Sequence, residues 1–132
     1  MRYLTDRKRA TALGSARSGT EHFYGMQTSG AALAILVPLF FVFVAPLIGA
    51  PHDVVLRSLG HPGRAVITGL LLVVGLIHFK NGARVMIEDY TQGATRKGLI
   101  FLAAAVAYVL IAAGLFALVR ILVRISLLSF AV

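Results

Sequence analysis

Apolar residues along this chain gather into three long blocks, and polar residues into the short stretches between them. No Asp, Glu, Lys or Arg occurs from position 23 to position 51. Residues 29–48 of that interval are long enough, as a helix, to cross the roughly 30 Å of hydrocarbon in a bilayer. A helix is the state expected there, because it satisfies every backbone N–H and C=O within the segment where water is absent. Pro38 predicts a kink, since its ring removes one backbone donor and crowds the preceding turn, and Pro46 favours the end of the span.

The next stretch, 49–63, mixes Pro51, Asp53, Arg57, His61 and Pro62, and it predicts a polar connection with room for one short helix. Beyond it the uncharged run 65–77 is too short to span alone. Continued through His78, Lys80 and Arg84 to the apolar Val85, Met86 and Ile87, it makes a second span at about 65–88, with the two long basic side chains expected to snorkel towards one surface. The third span is expected over 99–121, because 99–119 contains no charge and Arg120 and Arg124 mark its exit. Its run of alanines, 103–105 with Ala107, favours close helix packing. The class predicted is an all-α membrane protein of three transmembrane helices, with residues 1–28 an N-terminal interfacial segment and 29–132 the membrane domain.

Composition agrees with this pattern. The 132 residues are 58% hydrophobic and 14% charged, more apolar than an ordinary water-soluble domain. The formal charge of +8 comes from 13 Lys and Arg against 5 Asp and Glu, but these cations sit in clusters between apolar runs rather than along one groove-facing surface, which argues against a nucleic-acid partner. They report topology instead. Arg2, Arg7, Lys8, Arg9 and Arg17 precede the first span, and Lys80, Arg84, Arg96 and Lys97 surround the second loop. Only Arg57, Arg64, Arg120 and Arg124 lie at the opposite ends. By the positive-inside rule the N-terminus and the second loop are expected in the cytoplasm. Residues 1–19 are polar and basic without an apolar core, unlike a cleavable signal peptide. The absence of Cys excludes disulfides and thiolate-held metals or iron–sulfur clusters on this chain.

One residue is out of keeping with its depth. His78 is placed well inside the second span, where an ionisable side chain is costly and therefore marks a site by default. Such a histidine either hydrogen-bonds a neighbouring helix or ligates a buried group, and neutral imidazole suits a metal. Asp89 follows it by eleven positions, almost three whole turns, so the two share a helix face about 16 Å apart along the axis. Gly82, one turn after His78, leaves that face without a side chain to obstruct a flat cofactor. Tyr90 and Asp89 fall at the boundary, where interfacial tyrosines are common in any membrane protein. His22, His52 and His61 are expected in interfacial or solvated roles, and Arg84 and Glu88 at four-residue spacing suit a weak surface pair.

The sequence His78-Phe79-Lys80-Asn81-Gly82-Ala83-Arg84-Val85-Met86-Ile87-Glu88-Asp89-Tyr90 resembles the second helix of the small hydrophobic anchor subunit of bacterial succinate dehydrogenase, complex II of the respiratory chain and a member of the tricarboxylic acid cycle. So do the opening Tyr3-Leu4-Thr5-Asp6-Arg7-Lys8-Arg9, the Gly14-Ser15-Ala16 stretch and Gly19-Thr20-Glu21-His22-Phe23. The resemblance implies that His78 is an axial ligand of a haem b iron whose other ligand belongs to a cytochrome b anchor subunit, itself of three helices, packed against this one. It implies that Tyr90 hydrogen-bonds a ubiquinone carbonyl, with Asp89 supporting that site, and that an iron–sulfur subunit and an FAD-bearing flavoprotein subunit dock on the cytoplasmic face. The chain would then be a non-catalytic member of a succinate:ubiquinone oxidoreductase in a bacterial inner membrane, with no succinate dehydrogenase activity alone. Gln27 stands where the family commonly carries an arginine near the haem propionates, which removes one cation. A fumarate reductase anchor or a non-redox membrane adaptor are the alternative readings.

Overall fold

The computed structural model describes residues 5–7 and 19–130, and the chain is helical almost throughout this second stretch. The elements are α1 (Gly19–Phe43), a single 3₁₀ turn (Ala45–Leu47), α2 (His52–Leu59), α3 (Pro62–Tyr90) and α4 (Gly93–Phe130). Three segments are long and apolar enough to cross a membrane: Phe23–Leu47, Pro62–Tyr90 and Gly93–Leu127. The Tyr3–Leu4, Lys8–Arg9 and Gly14–Ala16 parts of the N-terminal motif, and the cations Arg2 and Arg17, lie outside the described residues.

The helix ends differ from the expected spans throughout, α3 by two or three residues at each end and α4 by six at its start, and the largest differences have a clear cause. Helix α1 begins ten residues before the expected start of the span, because nothing between Gly19 and Ser29 breaks a helix. It passes through Pro38 and gives up α geometry after Phe43. Pro46 then occupies the first turn of the 3₁₀ element, where its missing N–H costs nothing. Helix α4 continues past Arg120 and Arg124 to Phe130. Those charges mark a level in the membrane, and a chain without Gly or Pro after them has no reason to stop there.

Helix α3 lies between α1 and α4 and packs on both, while α2 lies against α4 and α3 at the end of the bundle away from the α3–α4 turn. Its packing surfaces use small residues, as expected where dispersion rather than water drives association. A Cβ added at Gly75 would approach Leu33 of α1 at 3.9 Å, and one at Gly69 would approach Leu118 of α4 at 3.5 Å. At Gly114 of α4 a Cβ would collide with the end of the Leu72 side chain, so the present approach of that leucine uses the space glycine leaves. Ala107, from the predicted alanine run, is 1% exposed, the deepest apolar position among the described residues. Only Val44 and Ala65 join it as buried apolar residues, and side chains such as Phe41, Phe101 and Phe116 stand exposed at 63%, 76% and 64%. A surface this apolar is stable against lipid or other helices, not against water.

Polar side chains are spent on helix ends. His61 is the N-cap of α3, its Nδ1 accepting from Gly63 N at 3.3 Å, with Pro62 next at N1. The residue is exposed, as expected, and caps the helix from that position. Arg64 donates through Nε to Phe43 O at 3.1 Å and through Nη1 to Ser58 Oγ at 3.1 Å, tying the end of α1 to α2. At the opposite end Thr91 and Gln92 link α3 to α4, and Gly93 takes φ +63°, a left-handed conformation that admits glycine readily.

Candidate functional site

Helix α3 carries His78 sixteen residues after its first residue and twelve before its last, close to the helix centre. The ring is half-buried and turned towards α1. Its Nδ1 lies 2.9 Å from Ser29 Oγ, and a Cβ built on Gly30 would meet its Cε1 at 3.4 Å. Ser29 is the one buried polar residue among the described residues, 9% exposed, and its hydroxyl donates to Met26 O at 3.0 Å in the preceding turn. A serine hydroxyl has a single hydrogen. With that hydrogen directed at Met26, Ser29 Oγ accepts from His78 Nδ1, the tautomer in which Nε2 is the acceptor nitrogen. No hydrogen bond to Nε2 occurs among the described residues. Fixing one ring nitrogen by a hydrogen bond while presenting the other is the arrangement found behind metal-ligating histidines.

The bond to Ser29 makes His78 a hydrogen-bonding contact between α3 and α1, the first of its two sequence readings. Ser29 was expected only as the start of a span. Its signal in the sequence was a lone hydroxyl at the edge of an uncharged run, which has little meaning until the helices are packed. Among the described residues no group of three or more His, Cys, Asp or Glu could hold a metal ion, so His78 can supply only one ligand to an iron.

Gly82, one turn after His78, faces the same neighbour: a Cβ there would lie 3.5 Å from Met26 Cε of α1. Lys80 behaves differently from the expected snorkel. Its Nζ reaches Tyr108 Oη of α4 at 3.1 Å and stands 5.1 Å from the ring centroid, on the far side of α3 from His78. Arg84 pairs with Glu88 at 2.8 Å, as the four-residue spacing predicts.

Asp89 and Tyr90 end α3 and are both exposed, Tyr90 at 85%. The helix end that carries them is capped by a side chain from beyond the turn. Arg96, counted in the sequence reading only as a positive charge, folds back across the turn and donates through Nε to Thr91 O at 2.7 Å and through Nη2 to Glu88 O at 2.8 Å. Thr91 Oγ1 adds a bond to Ile87 O at 2.6 Å. A guanidinium over the last carbonyls of a helix satisfies acceptors that have no intrahelical partner and opposes the negative end of the dipole. The sequence signal was a basic residue a few positions beyond a helix end. Gln27, at the position where an arginine was expected, is exposed on α1.

Three apolar helices with a polar centre on the middle one define a class, and the sequence comparisons agree with it. Residues 1–112 match the succinate dehydrogenase/fumarate reductase transmembrane subunit family, and the chain belongs to that family. It is 46% identical over 120 residues to the succinate dehydrogenase hydrophobic membrane anchor subunit of Paracoccus denitrificans, a match that covers 91% of this chain and 93% of that protein. No solved structure matches the chain. The family and the three long apolar helices together make it a multi-pass membrane protein.

Proposed function

We propose that the chain is the small membrane anchor of a bacterial succinate:ubiquinone oxidoreductase, contributing one axial ligand to a haem b and part of a ubiquinone site. The observation that carries this reading is the imidazole at the centre of α3, bonded to Ser29 through Nδ1, with no hydrogen bond to Nε2 among the described residues. The donor chemistry fits haem through the imidazole, whose Nδ1 is hydrogen-bonded to a buried hydroxyl, while Gly30 and Gly82 serve the packing of α1 on α3 against the His78 ring and Met26. His78 would hold the iron, and the second ligand would come from a cytochrome b anchor subunit of three helices packed against this one. Haem b, when bound, supplies a one-electron carrier between partner centres.

At the end of α3, Tyr90 is placed to donate its phenolic hydrogen to a quinone carbonyl, where negative charge builds as the quinone is reduced. Asp89, beside it, supports that site, and Arg96 positions both by holding the helix end. With the N-terminus and the α3–α4 turn in the cytoplasm, this end of the bundle faces the iron–sulfur subunit and, through it, the flavoprotein. Both partners carry the redox centres that oxidise succinate, FAD and iron–sulfur clusters. The quinone site stands on the motif and on position alone, and the family also includes fumarate reductase anchors.

Co-purification tests the assignment. A tagged copy of this chain, extracted from bacterial inner membranes in mild detergent, is expected to bring with it succinate oxidation measured with an artificial acceptor and transfer to ubiquinone. Recovery of the chain in an assembly without succinate-oxidising activity would overturn it.

A further inference from the structure

The pair on the opposite side of α3 is the most unusual arrangement in the chain that the haem and quinone reading does not use. Lys80 precedes the last residue of α3 by ten positions, about 15 Å, and helical side chains lean towards the N-terminus, which carries its amine deeper still. Tyr108 follows the first residue of α4 by fifteen positions, about 22 Å. The two helix ends are joined by a two-residue turn and lie side by side, so amine and phenol meet near the middle of the apolar layer. The amine is not snorkelled towards the nearer end of α3: it is directed at Tyr108 of the neighbouring helix.

The donors outnumber the acceptors at this place. An ammonium has three N–H groups and a phenol one O–H, while Tyr108 Oη accepts one of those hydrogens. No other hydrogen bond to Lys80 or Tyr108 occurs among the described residues. Among the described residues no carboxylate is bonded to the pair. The chain's five acidic residues are Asp6, Glu21, Asp53, Glu88 and Asp89, and none lies in the apolar part of a span. Asp53 is on α2, and Glu88, held by Arg84, is about 12 Å along the axis from Lys80. Helix α4 contains no acidic residue.

We propose that the α3–α4 face centred on Lys80 and Tyr108 docks a transmembrane helix of another chain that bears a carboxylate at mid-membrane depth. A carboxylate is acceptor-only and can take hydrogens from the amine and the phenol together, a match no aliphatic side chain or acyl chain provides. Phe79 and Val109, next in the chain to Lys80 and Tyr108, and Phe101, two turns before Tyr108 on α4, are exposed apolar residues at 55%, 66% and 76% and suit a helix seated over this face. This surface is independent of the haem and quinone assignments, since it faces away from His78.

Two measurements on the native assembly, purified from membranes, test it. Removing one member of a buried ion pair strands the other, whereas removing an unpaired intramembrane charge relieves a cost. Lys80→Met is therefore expected to lower recovery of intact assembly about tenfold, with Lys80→Arg restoring most of it. A membrane-permeant carbodiimide is expected to join Lys80 by an amide to an Asp or Glu of a second polypeptide, identified by mass spectrometry. The proposal is overturned if Lys80→Met assembles as well as or better than the parent. It is overturned equally if the carbodiimide leaves Lys80 unlinked to any other chain.

Discussion

Ser29 and His78 are forty-nine positions apart in the chain and 2.9 Å apart in the structure, and that contact joins α1 to α3 at the level of the candidate ligand. It is a relation between a donor nitrogen and a buried oxygen whose own hydrogen is already engaged with Met26. Ser29→Ala removes the acceptor without altering the ring. The expected result is an assembled complex that retains haem about tenfold less tightly, measured as haem-to-protein ratio during dilution or competition with a haem-binding protein. Unchanged retention would show that Ser29 does not orient the ligand.

Tyr90→Phe deletes one hydroxyl at an exposed helix end and should leave folding alone. Quinone reduction is expected to fall by about tenfold or more, the loss of a single transition-state donor, while succinate oxidation with an artificial acceptor stays near the parent value. Asp89→Asn should move quinone turnover in the same direction. Equal turnover in both variants and the parent would remove this end of α3 from the quinone site.

Arg96→Ala opens the caps on Thr91 O and Glu88 O. The cost expected is roughly 1–3 kcal/mol for charge-assisted bonds to half-buried carbonyls, visible as a lower unfolding temperature of the purified complex. If Arg96 positions Tyr90, KM for quinone rises more than the haem spectrum changes. A lower unfolding temperature with unaltered KM would leave it a purely structural cap.

Gly114→Val places a branched side chain where Leu72 already sits. Overpacking of this kind costs roughly 1–3 kcal/mol, and Leu72→Ala should recover a good part of it if the two residues truly share one space. Thermal unfolding of the four members of the cycle measures the coupling. Independent, additive effects would contradict the observed α3–α4 contact.

The chain contains no cysteine, so single cysteines report sidedness without background. Gln92→Cys in the α3–α4 turn is expected to react with a membrane-impermeant maleimide only from the cytoplasmic side, and His52→Cys only from the other. Reversal of the two patterns would invert the orientation drawn from the distribution of Lys and Arg.

How much of this was legible in the sequence depended on whether the cause was local. Uninterrupted apolar length announced the first and third long helices, the second was legible only by continuing its apolar run through His78, Lys80 and Arg84, and the mixture of Pro, Gly and charge around Pro51 and Pro62 left room for the short helix between them. The Arg84–Glu88 pair followed from spacing along one helix. Boundaries were less legible, because Arg120 and Arg124 mark the water level while only backbone chemistry, as at Pro46, ends a helix. At the site, His78 stood out by its depth. Ser29, Tyr108 and Arg96 did not, since each acts across a turn or between helices and has no periodicity that connects it to its partner. Lys80 was assigned to the surface for the same reason, its true partner lying twenty-eight positions away on α4.

The account rests on an iron porphyrin held by the imidazole at the centre of α3, and reduced-minus-oxidised optical spectroscopy of the purified complex measures that directly. The parent is expected to show the sharp bands of a b-type haem, and His78→Ala to lose or shift them while the partner subunits remain associated. A parent complex with no haem bands, or a His78→Ala complex whose bands match the parent in position and intensity, would contradict it.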